Sequence, residues 1–408
     1  MADNKGLGAA KEAKQDEFYT QYEDIQREIN AYLEYNPDTF RGMTVLLPCD
    51  DPEWSNFTRF FAQNFELLGL KKLISTSYAS NSKRKKYGDS EEYHQITLFE
   101  LESPQYDSEI TDAKGKIFTL TKDENESGSI DIDDLKWSYL EGDGDFESEE
   151  VKALRDEADI IVTNPPFSLY KEFLTWITEA NKKFLIIANQ NAITYKETFA
   201  LIVKNKLWIG NRFNERINGK NMTFRVPDSY PMTGTELYEK DGKKFISVSG
   251  TGWFTNLEHG RRHRPIDLMT MEDNIKFNKN LQKKGGKYYK YETFDAIDVP
   301  TTDSIPKDYK GVMGVPKSFM KYHCPEQFEI LGYEREDENI QVGIRTMPEE
   351  FLSLYRSQGG KGHYTKGMKM LCYINGNGEA KIPFSRILIK YTDEWINKHP
   401  EDFKETNS

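Results

Sequence analysis

A chain of 408 residues with 30% charged residues and a net charge of −12 is long enough for one large or two ordinary domains with a real core. No apolar run approaches the roughly 20 residues of a membrane helix, and the polar N-terminus MADNKGLGAAKEAKQDE lacks the apolar region of a signal peptide. No membrane partner is therefore expected, and residues 1–14 read as a flexible leader of an intracellular, cytoplasmic protein. Cys49, Cys324 and Cys372 are widely separated and form no CxxC pair, which argues against a disulfide framework and against a zinc site; no metal is expected.

The predicted elements alternate. Met43 to Leu47 (MTVLL) is a strand, PCDDPEW a loop, and Ser55 to Leu68 a helix with Phe57, Phe60, Phe61, Phe65 and Leu68 at helical spacing. Lys72 to Ser77 (KLISTS) is the second strand. Residues 79–136 are polar, with short alternating pieces at Gln95 to Phe99 and Lys116 to Leu120, and read as an inserted excursion. The rhythm resumes with a helix at Ser148 to Glu157, a strand at Asp159 to Val162, a helix at Ser168 to Ala180, a strand at Phe184 to Ala188 and a helix at Tyr195 to Val203. Such alternation predicts an α/β, Rossmann-like sheet, mainly parallel, with helices on both faces and ligands outside the carboxyl ends of its strands.

At one of those ends the chain leaves a buried strand through Asn164, Pro165, Pro166 and Phe167. Two prolines stiffen the turn and remove two donors, which leaves the Pro165 carbonyl free to accept a hydrogen bond. Asn164 adds a side-chain acceptor and Phe167 an apolar face, so together they make a slot for a flat group carrying an exocyclic amine. The plainer alternative is an Asx-Pro turn with Phe167 plugging the core. Two acidic loops share the same edge: Cys49, Asp50, Asp51 and Pro52 after the first strand, and GDGDF (Gly142 to Phe146) ahead of the Asn164 strand. Their carboxylates suit an amine or a ribose hydroxyl and would repel a triphosphate.

An Asn-Pro-Pro-Phe turn after a strand, preceded by a strand-end loop carrying Asp-Pro, is similar to the pattern of S-adenosylmethionine-dependent amino-methyltransferases. QDEFYTQYEDI, CDDP with SNF, GLKKLIS, GDGDF, VTNPPFSL, KKFLIIANQNAITYKE, WFTNL, YKGVMGVP and PEQFEI resemble, in order, the EcoRI family of adenine-specific DNA methyltransferases. The resemblance runs from about residue 15 to 330, with a short return at Phe384 to Lys390. It implies a class I methyltransferase domain at 15–205, a target-recognition region at 206–408, S-adenosylmethionine as cofactor, and transfer of a methyl group to N6 of an adenine flipped out of duplex DNA. Asn164 and the Pro165 carbonyl would take the two N6 hydrogens, Pro166 would hold the turn, and Phe167 would stack on the base. Phe18, Tyr19 and Thr20 would lie near the methionine part of the cofactor, Asp50, Asp51 and Pro52 near its amino or ribose groups, and Asp145 with Phe146 at its adenine. Two departures stand out: Ile74 to Tyr78 contain no acid for the ribose, and the first loop lacks a glycine pair.

The net negative charge speaks against nucleic acid as a partner unless basic residues cluster, and they do. Lys83 to Lys86 form one run; Arg212, Arg216, Lys220, Asn221 and Arg225 another; Arg261, Arg262 and Arg264 a third; and Lys283, Lys284, Lys287 and Lys290 surround Tyr288, Tyr289 and Tyr291. Arg212, Arg225, Arg261, Arg262, Arg264 and Lys287 are the candidate DNA contacts. Residues from about Glu334 to Ile382 read as an addition, either a DNA-facing loop or an accessory surface. The resulting expectation is a monomeric bacterial or phage enzyme of restriction-modification or orphan methylation, working at the nucleoid, with a cognate restriction endonuclease as a possible companion. The alternatives are a DNA-binding protein that has kept the fold without activity, and methylation of RNA adenine or of a protein amide. The DNA recognition sequence is not readable from the chain.

Overall fold

A computed structural model describes residues 19–53, 55–79, 110, 113–121, 137–213, 222–226, 237–240, 242–336, 338 and 340–403. The leader, Phe18, Lys83 to Lys86, Gln95 to Phe99, Arg216, Lys220 and Asn221 lie outside them. The chain divides into one compact unit of residues 1–191 and 209–259 and a second of residues 192–208 and 260–408. No helix among the described residues is long and apolar enough to cross a membrane.

The first unit is built on a mixed sheet of β1 (Thr44–Leu47), β2 (Lys72–Thr76), β3 (Lys116–Leu120), β4 (Ser138–Tyr139), β5 (Ile160–Thr163), β6 (Lys183–Asn189), β7 (Trp208–Phe213) and β8 (Thr251–Thr255). Their spatial order is β4-β3-β2-β1-β5-β6-β8-β7. The central strands β2, β1, β5 and β6 are parallel, with Leu46 opposite Ile74 and Ile161; β3 and β8 flank them antiparallel. From β1 the chain moves outward to β2, whereas from β5 it moves to β6 on the other side. The gap between the carboxyl ends of β1 and β5 is therefore the topological switch point, where sheets of this kind bind ligands.

These strands form because their apolar residues are buried on both faces. Val45, Leu47, Ile160, Val162, Leu185 and Ile187 cluster with Ile25, Ile29 and Tyr32 of α1 (Tyr22–Tyr35) and with Phe57, Phe60 and Phe61 of α2 (Asn56–Gln63). The alternate residues Leu46, Ile161 and Ile186 are equally buried, and α3 (Glu149–Glu157) and α4 (Tyr170–Glu179) pack on β1 and β6. Each fully buried side chain of this size contributes about 1.5–3 kcal/mol. Capping sets the helix starts: Ser55 accepts from Phe57 N and Ser148 from Val151 N. The predicted helix at Ser55 to Leu68 breaks at Asn64, resumes as the turn Phe65–Leu68, and stops at Gly69, which is left-handed at φ +63°.

Two expectations change here. Lys116–Leu120 belongs to the main sheet rather than to a detached excursion. Lys116, Phe118 and Leu120 face inward at period two, and the buried Lys116 amine is held by Asp51 at 3.2 Å and Glu53 at 2.6 Å. Residues 209–213 and 251–255, on the downstream side of the boundary drawn at 205, likewise complete the first unit's sheet, where β8 is buried at every position.

A separate small sheet in this unit joins Tyr19–Thr20, Thr223–Arg225, Lys243–Ser247 and Leu237–Lys240 in that spatial order. The second unit carries a sheet of Tyr289–Lys290, Ala296–Asp298, Val312–Pro316, Arg386–Tyr391 and Phe328–Tyr333, with a helix at Lys196–Val203 whose Phe199 meets Tyr333 at 4.8 Å. The addition at 334–382 has its own small core of Met347, Phe351, Leu352, Cys372 and Ala380.

Candidate active site

β5 runs Ile-Ile-Val-Thr with every residue buried and releases the chain at Asn164. Pro165 is buried, Asn164 half-buried, and the Asn164 Oδ1 atom is shielded from water. The Pro165 carbonyl accepts no hydrogen bond among the described residues, whereas the Pro166 carbonyl takes the Leu169 N–H at 3.0 Å. A 3-10 turn at Phe167–Leu169 then leads into α4. Phe167 is half-buried and lies against the main core.

The loop after β1 meets this turn. Asp50 is buried, and both of its carboxylate oxygens are engaged: Oδ1 accepts from Ser55 Oγ and Oδ2 from Thr163 Oγ1, each at 2.6 Å. Its N–H donates to the Thr76 carbonyl at 3.0 Å, and its carbonyl accepts from Ser75 Oγ at 2.5 Å. Burial pushes its carboxyl up to about 7 against the pull of the Ser55 and Thr163 hydroxyls. Asp50 therefore points into the protein, with both carboxylate oxygens engaged by hydroxyls. Asp51 is half-buried and is paired with Lys116; burial, opposed chiefly by that lysine, raises its carboxyl. Pro52 is buried.

The GDGDF loop reaches the same edge. Ala79 N–H donates to the Asp143 carbonyl at 2.7 Å and Gly115 N–H to the Gly142 carbonyl at 3.0 Å. Gly144 sits at φ +80°, and a Cβ there would lie 2.1 Å from the Ser77 carbonyl oxygen, so only glycine allows the loop to close on the end of β2. Cys49 records the convergence: its thiol is raised by burial, then by Asp50 and by Asp145, against the opposing pull of the Thr163 hydroxyl. Phe146 turns inward, edge-on to Phe173 at 5.2 Å and Trp176 at 5.7 Å. Thr20 joins the edge as well, its carbonyl accepting from Asn56 Nδ2 at 2.8 Å. Tyr19 is placed in the same short strand, opposite Arg225.

The candidate DNA contacts divide by burial. Arg212 lies in the core of the first unit, ion-paired to Asp24, with its N–H held by Glu28 Oε2 at 2.8 Å. Arg262 is buried in the second unit, its guanidinium 3.8 Å from the Trp208 ring centroid and bonded to Asn205. Both guanidiniums are buried against partners within the protein. Arg225 and Arg261 are half-buried, and Arg264 and Lys287 are exposed. Lys287 has company that composition alone did not single out: Lys276 and Lys279 precede Lys283, Lys284, Lys287 and Lys290, and all six are exposed. Their clustering was visible in the sequence, as was the hydroxyl of Thr163, which carries no signal without its partner Asp50.

The sequence profile of the family described as adenine-specific methyltransferase EcoRI matches residues 6–392. The chain is 40% identical over 364 residues to the Type II methyltransferase M.EcoRI of Escherichia coli, covering 88% of this chain and 98% of that protein. It is 32% identical over 325 residues to the Type II methyltransferase M.MpnI of Mycoplasma pneumoniae, covering 79% and 83%. With the Type II methyltransferase M.MgeORF184P of Mycoplasma genitalium it shares 34% over 325 residues, covering 79% and 84%.

Proposed function

The chain belongs to the EcoRI family of adenine-specific DNA methyltransferases, and on that premise we propose that Asn164 and the Pro165 carbonyl orient the N6 amine of an adenine flipped out of duplex DNA for methylation. The observation that carries this reading is the acceptor pair at the switch point: the Pro165 carbonyl, left without a hydrogen bond among the described residues, stands next to the shielded Asn164 Oδ1. S-adenosylmethionine supplies an electrophilic methyl group carried on sulfonium sulfur. The protein's part is orientation. An exocyclic amine conjugated with a purine is a weak nucleophile, and two acceptors that hold its hydrogens direct the lone pair toward the incoming carbon. With the cofactor bound, transfer would form the carbon–nitrogen bond as the carbon–sulfur bond breaks, and the amine held by Asn164 and the Pro165 carbonyl would give up one proton. No covalent bond to the protein is needed.

Residues at this edge fit the cofactor. Thr20 Oγ1 is buried without a hydrogen bond among the described residues, a polar atom for an incoming partner to satisfy. Asp145, whose charge reaches Cys49, is a carboxylate for an amino or ribose group. Unit two, with its six exposed lysines, is assigned to the DNA backbone, and Arg225, Arg261 and Arg264 remain candidates for contact. The relatives' names support a restriction-modification setting; we extend it to a monomeric enzyme with a cognate endonuclease.

The test is Asn164→Ala, assayed for methyl transfer and for cofactor binding. We expect turnover to fall at least about a hundredfold with S-adenosylmethionine still bound. Near-wild-type turnover would remove Asn164 from the mechanism.

A further inference from the structure

Asp50 stands at the meeting of three parallel strands. It follows β1, its backbone is tied to Thr76 and Ser75 at the end of β2, and its carboxylate is tied to Thr163 at the end of β5. Its other oxygen holds Ser55, which caps α2 by accepting from Phe57 N at 3.0 Å. Thr58 Oγ1 meets Ser75 Oγ at 2.7 Å and closes the network from the helix side. Both hydroxyl-to-carboxylate bonds have the short lengths of charge-assisted bonds.

A carboxylate buried at a sheet end is costly and contributes little net stability compared with an apolar residue of the same size. What it can supply is direction. Thr163 is β-branched, with few χ1 choices, and it directly precedes Asn164. A fixed Thr163 hydroxyl sets the course on which the chain leaves the strand, and the fixed φ of Pro165 and Pro166 secures the other side. The Asn164 carboxamide is thereby held from both flanks.

We propose that Asp50 is a positioning residue that grips Thr163 and so holds Asn164 in register with the target amine. The inference rests on the reading of Asn164 as the amine acceptor, and it separates Asp50 from any contact with the cofactor.

The experiment compares Thr163→Val, Thr163→Ser, Asp50→Asn, the double variant Asp50→Asn with Thr163→Val, and Asn164→Ala in the full chain. For each, kcat at saturating DNA and S-adenosylmethionine, the dissociation constant for S-adenosylmethionine by calorimetry, and thermal stability are measured. Thr163→Val removes the hydroxyl without changing shape and should lower kcat about ten- to a hundredfold, the cost of a misplaced group, while cofactor affinity stays within about twofold. Thr163→Ser should recover most of the rate. The double variant should be no worse than the poorer single one, because the pair acts as a unit. If Thr163→Val keeps wild-type kcat while Asn164→Ala is inactive, the grip is overturned and the acceptor reading stands. If Asn164→Ala is itself active, the acceptor reading fails first. Loss of cofactor affinity in Asp50→Asn with kcat unchanged would return Asp50 to the ligand and overturn the proposal.

Discussion

Replacing Arg212 by methionine separates a structural arginine from a DNA contact. The guanidinium is ion-paired to Asp24, with side-chain exposures of 6% and 12%, and it sits beside Glu28, whose carboxyl is pushed up to about 7 by burial and drawn back partly by Arg212. Methionine keeps the aliphatic length and leaves the Asp24 charge buried without its partner. Breaking a pair of this kind from one side costs about 3–5 kcal/mol; the slight exposure of Asp24 favours the lower end. Glu28 retains its bonds from the Asn211 and Arg212 N–H groups at 2.7 and 2.8 Å, so the strand itself should survive. Urea denaturation of Arg212→Met should therefore show a loss of about 3 kcal/mol, and the double variant with Asp24→Asn should recover most of it. The salt dependence of DNA binding should keep its slope. A variant as stable as the parent, with the slope reduced by about one, would overturn the structural role and return Arg212 to the DNA surface.

Two further outcomes are expected. Changing Lys279, Lys283 and Lys287 together to glutamine should weaken DNA binding and flatten the plot of log affinity against log salt by roughly one for every phosphate those lysines neutralise, with methylation at saturating DNA retained; an unchanged slope would make this face solvated surface. His323 is half-buried, its ring nitrogen bonded to the Phe328 carbonyl at 2.9 Å, and desolvation lowers its pKa to about 4. The unfolded imidazole titrates near 6.5 and binds more protons between those values, so the stability this residue contributes is complete above about 6.5 and is lost as pH falls toward 4, by up to about 3 kcal/mol. His323→Gln should flatten that part of the pH–stability curve, and an unaltered curve would show that the ring is not held neutral.

Much of the first unit was legible because its strands are short β-branched runs, its helices begin at Ser55 and Ser148, and the Asn164 turn has a composition that few local structures require. Charge was harder to read. Arg212 and Arg262 look in sequence like Arg261 and Arg264, since nothing local reveals that Asp24, 188 positions away, or the Trp208 ring will bury them. Lys116 was obscured in the same way: a lysine in a polar stretch gave no sign of Asp51 and Glu53 waiting above it. An acid at the end of β1 was evident, but the direction of the Asp50 carboxylate depends on Thr163, 113 residues further on, and a threonine at the end of a strand carries no mark of such a role.

The most direct measurement follows a labelled methyl group from S-adenosylmethionine into unmethylated duplex DNA, with nucleoside analysis and mapping of the modified positions. We expect N6-methyladenine confined to one short repeated sequence and abolished by Asn164→Ala. Label in another base, in RNA or in protein, or no transfer by a chain that binds both DNA and cofactor, would contradict the assignment.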